Sequence, residues 1–288
     1  KLSIKNNHYN NFVRNFFGLL SKSDFSGNDV TTNSLIKNKG IAAYIIAKEE
    51  GIIAGLEEFS LLNSDLKLKL FKKDGDKIKN GDIILEINGS AGKILARERM
   101  NLNLIQRMSG VATLTDSLSR KSKNKPRIAA TRKTLWGLID KKAVSIGHGL
   151  THRLSLNDGI LIKDNHLKLL NHDFGKALSL AANKSRYVEI EVENEEQSMK
   201  AAKAIKKLIN KNNKNMFAIM LDKIPPQYIK KIIQNLKNQD LYSNVLLEAS
   251  GNINSENLLE YSNCGADVIS MGCITNSAKV LNMSMEIK

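Results

Sequence analysis

The stretch Tyr187–Leu221, YVEIEVENEEQSMKAAKAIKKLINKNNKNMFAIML, decides the fold. It holds an apolar run, Tyr187–Val192, a helical stretch, Gln197–Ile209, and a second apolar run, Phe217–Leu221. A strand, a crossover helix and a returning strand make the unit from which parallel sheets are built. The pattern extends outward in both directions. Upstream lie the runs Arg127–Thr131 and Gly159–Lys163; downstream lie the helical Pro226–Leu236 and the runs Val245–Ala249 and Asp267–Ser270. A closed (β/α) barrel is expected rather than an open sheet. No Gly-x-Gly-x-x-Gly turn is present, and charged residues stand at the C-terminal ends of many strands, where barrel active sites are built.

The chain before about Thr113 reads differently. Short β-like runs at Ile41–Ala47, Ile52–Leu56, Leu66–Phe71, Asp82–Ile87 and Lys93–Ala96 predict a small antiparallel or mixed sheet, with a polar turn at Lys72–Gly81. Helices are expected around Phe12–Leu20 and Thr31–Lys37. Leu104, Met108, Val111, Leu114 and Leu118 recur at three- and four-residue spacing, predicting a long helix from Arg97 or Glu98 to about Ser119 that links the two parts.

Composition narrows the function classes. The 288 residues carry 44 Lys+Arg against 29 Asp+Glu, a net charge of +15. Such a balance suits nucleic acid, small polyanions or a solvated lysine surface. The runs Lys203–Lys214 and Lys121–Arg127 read as solvated faces. Aromatics make up 5% of the chain, too few for base stacking, and no nucleic-acid-binding motif is visible. Cys264 and Cys273 form no CxxC pair, no apolar stretch is long enough to span a bilayer, and no signal-peptide pattern opens the sequence. A reduced cytoplasmic protein is the expectation.

The chemistry concentrates at the strand ends. Arg127–Thr131 ends in Arg132 and Lys133, and Gly159–Lys163 ends in Lys163, Asp164, Asn165 and His166. Between them lies Gly147–Arg153, GHGLTHR. Glu189, Glu191 and Glu193 share one face of their strand by alternation. Glu189 and Glu193 are equally readable as facing the helix layer in ordinary salt bridges, and His148 as a loop residue without a task. Asp222, Ser250 with Gly251, and Gly272 close three further strands. Arg grips carboxylate or phosphate bidentately and Lys adds a point charge. Glycine loops offer backbone N–H groups to phosphate. Carboxylates within such a ring suit Mg²⁺, ribose hydroxyls or a developing positive charge. The set points to a phosphorylated sugar and an acidic small molecule.

These residues carry a resemblance. Thr131–Thr134 (TRKT), Lys142–Val144 (KAV) and the block Gly147–His166 (GHGLTHRLSLNDGILIKDNH) resemble the quinolinate phosphoribosyltransferase family. Glu98-Arg99 with Gln106–Thr113, then VEIEVEN, IMLD, EASG and DVISMG, follow in that family's order. The resemblance implies a small N-terminal α/β sandwich domain and an incomplete six-stranded α/β barrel. Residues 1–112, joined by 276–288, would form the first and residues 113–275 the second. It implies conversion of quinolinate and phosphoribosyl pyrophosphate, with Mg²⁺, to nicotinate mononucleotide, pyrophosphate and CO₂. It implies a homodimer or larger homo-oligomer in which Arg99 reaches into the neighbouring subunit's site. On that basis Arg99, Arg132, His152 and Arg153 hold the quinolinate carboxylates, while Lys133 and Lys163 stand between the two substrates. Glu191 and Asp222 bind ribose hydroxyls and Mg²⁺, partly through substrate. Ser250, Gly251, Asn252, Met271 and Gly272 surround the 5-phosphate. The chain departs from the family pattern at Leu135 and Trp136, at His148 and at Asn252; Trp136 and His148 are expected beside the base pocket. The rival readings are a paralogue of the same fold from molybdenum-transport operons, acting on another base, and a basic nucleic-acid-binding protein.

Overall fold

The computed structural model describes residues 2–24, 29–36, 39–123 and 125–287. Lys37 of the expected second helix, Asn124 of one lysine-rich run and Lys288 fall outside them. The chain forms two compact units. The first comprises residues 1–116, 134–148 and 274–288, and the second comprises 117–133 and 149–273. The segment 134–148, placed with the barrel on sequence grounds, thus clusters with the first unit.

In the first unit, β1 (Gly40–Ala47), β3 (Lys67–Leu70), β5 (Ile83–Ser90) and the last strand of the chain, β12 (Met283–Ile287), form an antiparallel sheet in the order β12-β1-β5-β3. A two-strand ribbon pairs β2 (Gly51–Ile52) with β4 (Lys77–Ile78). The expected strand Ile52–Leu56 stops early. Gly55 takes φ 101°, a Cβ there would stand 2.8 Å from Met108 Sδ, and a helix runs from Leu56 to Leu62. Asp74 caps that helix by accepting the Leu56 N–H at 2.9 Å. Lys93–Ala96 is helix, not strand. It opens the helix Ala91–Lys121, in which Ala91, Ile94, Leu102, Ile105 and Met108 are buried. Four residues are too few to show a period, and Ala, Leu, Lys and Arg are strong helix formers.

The second unit holds a six-stranded parallel sheet. Its strands are β6 (Arg127–Ala130), β7 (Ile160–Ile162), β8 (Tyr187–Val192), β9 (Met216–Asp222), β10 (Leu246–Ser250) and β11 (Val268–Met271), in the order β6-β11-β10-β9-β8-β7. The closed barrel expected from the strand and helix alternation does not form, and the incomplete six-stranded barrel that the family resemblance implies does: among the described residues β6 and β7 do not pair. The outer edge of β6 is taken instead by a loop residue, Leu150, which forms a parallel bridge with Ala129. The barrel is therefore incomplete. Val188, Ile190 and Val192 are fully buried on one face of β8, each contributing about 2 kcal/mol by leaving water. Glu189 and Glu191 alternate to the other face, where they too are buried. The helix Glu195–Ile209 starts where Asn194 accepts the Gln197 N–H, with Lys206 and Lys207 in its last turn. Pro226 opens the helix Pro226–Asn238 at a position where its missing N–H costs nothing. No helix of the described residues is long and apolar enough to cross a membrane.

Candidate active site

At the C-terminal ends of these strands lies a cavity of about 480 Å³, lined entirely from the second unit. Of the thirteen residues to which the resemblance gives a site role, Arg132, Lys133, His152, Arg153, Lys163, Glu191, Asp222, Ser250, Gly251, Asn252 and Gly272 line it. Two do not. Met271 is buried at the end of β11. Arg99 belongs to the first unit, where it lines a separate hollow of about 250 Å³ with Phe17 and Trp136.

Three groupings organise the cavity. On the cationic side stand Arg132, Lys133 and Arg153. Burial and the neighbouring Arg132 charge hold the Arg153 guanidinium below its ordinary pKa. Two like charges facing one space invite a dianion. On the carboxylate side, Glu191 lies 2.5 Å from Lys163 Nζ and Asp222 lies 3.2 Å from Lys223 Nζ. The third grouping is the turn after β10. Gly251 has φ 93° and a Cβ there would stand 2.7 Å from the Lys223 backbone nitrogen, so only glycine fits. Asn252 follows at φ 55°, a left-handed conformation that Asn tolerates. Ser270 Oγ donates to Ser250 Oγ at 2.9 Å, joining the ends of β11 and β10.

Part of the Lys163–His166 block proves architectural. Lys163 stands at the N-cap of the following short helix, where its backbone N–H donates to His166 Nδ1 at 2.9 Å, while Asp164 pairs with Lys168. In the cavity wall His152 Nε2 lies 2.9 Å from Glu189 Oε2 and 3.4 Å from Glu248 Oε2. Glu189 therefore faces the cavity side and not the helix layer. Burial, and then the Glu248 charge, push its carboxyl above the usual range. Burial alone would lower the His152 pKa, but the two carboxylates outweigh it and raise it to about 10.

Sequence reasoning passed over Lys223, Glu248, Ser270 and Thr131, which also line the cavity. Alternation could have found Glu248, since it stands two residues before Ser250 on the same face of β10. Trp136 and His148 lie in the first unit rather than on the cavity. Trp136 packs against Phe16 and Phe17, with ring centroids 5.6 and 5.7 Å away. His148 is exposed, with Nδ1 3.4 Å from Asp116.

The sequence profile of the quinolinate phosphoribosyl transferase C-terminal domain matches residues 111–286, and that of the N-terminal domain matches residues 29–109. The chain belongs to the quinolinate phosphoribosyl transferase family. Within that family it is 36% identical over 277 residues to the probable nicotinate-nucleotide pyrophosphorylase [carboxylating] of Methanothermobacter thermautotrophicus, covering 93% of this chain and 96% of the relative. It is 37% identical over 273 residues to the Bacillus subtilis protein of the same description, covering 92% and 89%. Among solved structures, the nicotinate-nucleotide pyrophosphorylase of Francisella tularensis superposes with a TM-score of 0.84 at 29% identity, covering 97% of each chain.

Proposed function

We propose that this chain transfers a phosphoribosyl group from phosphoribosyl pyrophosphate to the ring nitrogen of quinolinate, releasing pyrophosphate and then CO₂ to give nicotinate mononucleotide. The observation that carries the reading is that two guanidinium groups, three lysines, three carboxylates and a glycine turn all line one cavity at the strand ends. Arg132 and Arg153 meet the two quinolinate carboxylates, relieving their mutual repulsion. Lys133 and Lys163 stand between the substrates. Glu191 and Asp222 receive the ribose hydroxyls and face C1 as its bond to pyrophosphate lengthens and positive charge develops there. Ser250, Gly251, Asn252 and Gly272 hold the 5-phosphate through backbone N–H groups and hydroxyls.

Glu191 and Asp222 present hard oxygen donors at the ends of adjacent strands, a set that suits Mg²⁺ reached partly through substrate oxygens. When bound, that ion neutralises charge on the departing pyrophosphate. The nitrogen becomes cationic once glycosylated, so the ring accepts the electron pair left when the adjacent carboxylate departs as CO₂. The protein's part is positioning and charge stabilisation, with no covalent enzyme intermediate. We also assign Arg99 to the site of a second subunit in a homodimer, where it adds a third guanidinium.

The test is direct. Purified protein with quinolinate, phosphoribosyl pyrophosphate and Mg²⁺ should yield nicotinate mononucleotide with equimolar CO₂. Product from nicotinate but none from quinolinate would overturn the substrate while leaving the transferase reading. Mixing Arg99→Ala chains with Arg153→Ala chains should restore activity if Arg99 is shared across an interface.

A further inference from the structure

Lys223 follows the last residue of β9 with a left-handed backbone, φ 56°. A residue with a Cβ holds that conformation at a cost, so its surroundings impose it. They act from two sides. The Lys223 N–H donates to Ser250 O at 2.8 Å, tying the end of β9 to the end of β10, and the next residue, Ile224, is buried. The side chain then runs across the turn after β10. A Cβ at Gly251 would stand 2.5 Å from Lys223 Cγ, so the turn is bare where the lysine stem passes. A lysine in the left-handed region and a glycine opposite it both serve the placement of one ammonium group.

At the end of that stem Nζ stands 3.2 Å from Asp222 Oδ2, its one ion-pair partner among the described residues. Lys223 lines the cavity together with Ser250, Gly251 and Asn252. Side-chain exposure is 65% for Lys223 and 15% for Asp222. An ion pair with so open a cation is held loosely, since water competes for the ammonium and the long stem is free to swing. A phosphate monoester attracts it more strongly, with nearly two negative charges and three acceptor oxygens.

We infer that Lys223 is a substrate-binding residue whose ammonium grips the 5-phosphate at the Ser250–Asn252 turn and leaves Asp222 to do so. The inference rests on the proposed binding of a phosphoribosyl group in this cavity, and adds to the backbone turn a cation of its own. The passage of the stem over Gly251 favours the 5-phosphate over the pyrophosphate as its target. Asp222 then has two states. In the empty cavity Lys223 balances its charge; with the phosphate in place its oxygens are released toward the ribose hydroxyls.

Calorimetry on the full chain with two ligands tests this. Nicotinate mononucleotide carries the 5-phosphate and no pyrophosphate, and nicotinate riboside carries neither. Lys223→Met keeps the stem and removes the charge. It should weaken mononucleotide binding about tenfold or more, the scale of a charge-assisted hydrogen bond, and leave riboside binding within about twofold. Lys223→Arg should recover most of the affinity. Phosphorus NMR supplies a second readout. The second pKa of a phosphate monoester, about 6 when free, should lie lower in mononucleotide bound to the unaltered chain than in mononucleotide bound to Lys223→Met, because an adjacent cation favours the dianion. Where riboside binding is too weak to measure, that difference decides, and its absence sinks the inference. An equal loss for the riboside would put Lys223 on the ribose or on Asp222. A loss seen with phosphoribosyl pyrophosphate but not with the mononucleotide would put it on the pyrophosphate. Either result overturns the inference. Should Lys223→Met fail to fold, Lys223→Gly, which relieves the left-handed backbone, takes its place. Undiminished mononucleotide binding in the variant removes the inference alone, whereas no mononucleotide binding by the unaltered chain removes the functional reading with it.

Discussion

The first unit holds a buried charge cluster around Asp140 and the second holds one around His152, and the two clusters are built in opposite ways. In the first, Asp140 is fully buried and every direction around it is filled. Arg107 grips both of its oxygens at 2.9 Å, and Thr134 Oγ1, Leu135 N and Trp136 N donate at 2.6, 3.1 and 3.0 Å. In the second, Arg153 faces Arg132, and Glu189 lies close to Glu248, each glutamate with one oxygen lacking a partner. A filled ion pair holds a fold together. Like charges held side by side weaken one, and they persist where a ligand completes them.

That contrast can be broken at several points. The largest expected effect is on Arg153→Ala, which should lower kcat/KM on the order of 10³-fold while the melting temperature stays level or rises, since a repulsion is removed. Near-normal turnover would show that the open charges of the second unit are not the carboxylate site. Next comes Arg107→Ala, which strands Asp140. Urea denaturation should report a loss of about 3–5 kcal/mol, and a loss below about 1 kcal/mol would erase the distinction between the units. Trp136→Ala removes two aromatic contacts and should cost about 1–2 kcal/mol, with the preference for quinolinate over nicotinate unchanged. A switch in that preference would return Trp136 to the base pocket.

The smallest effect belongs to a surface pair. Hydrogen bonds from Arg97 and Lys93 hold the Asp65 carboxyl well below the usual carboxylate range. A depressed folded pKa contributes stability above the unfolded value and loses it as pH falls through the folded one. Because the pair is exposed, Asp65→Asn should cost at most about 1 kcal/mol at neutral pH, and the two proteins should converge in stability under strong acid. A difference that grows as pH falls would reverse the sign of this argument.

What the sequence made legible follows from period and chemistry. The six parallel strands were readable because each is a short apolar run between helical stretches, and their terminal charges followed from where the runs stop. The face of Glu189 was not readable. Its strand is buried on both sides, so alternation alone could not say which side was cavity and which was helix layer. The left-handed backbone at His152 has no pattern in the sequence either, and the ring's buried neighbours there are glutamates 37 and 96 positions further along the chain. The incomplete closure was legible from the family resemblance and not from periodicity, because Leu150, which occupies the edge of β6, belongs to a loop with no strand pattern. Trp136 was misplaced because the cavity residues Thr131–Lys133 stand just before it in sequence, while its neighbours in space are Phe16 and Phe17 of the helix Asn7–Asp24.

The pairing of β12 with β1 joins Ala43 to Ile287 and Ala47 to Met283, residues more than 200 positions apart. A ribosome releases every strand of the second unit before it releases β12. Until then β1 offers a bare edge of backbone donors and acceptors, a template on which another chain can add. Synthesis therefore leaves the first unit unfinished for the longest interval, and chaperone demand during expression should track the β1 edge rather than the catalytic strands.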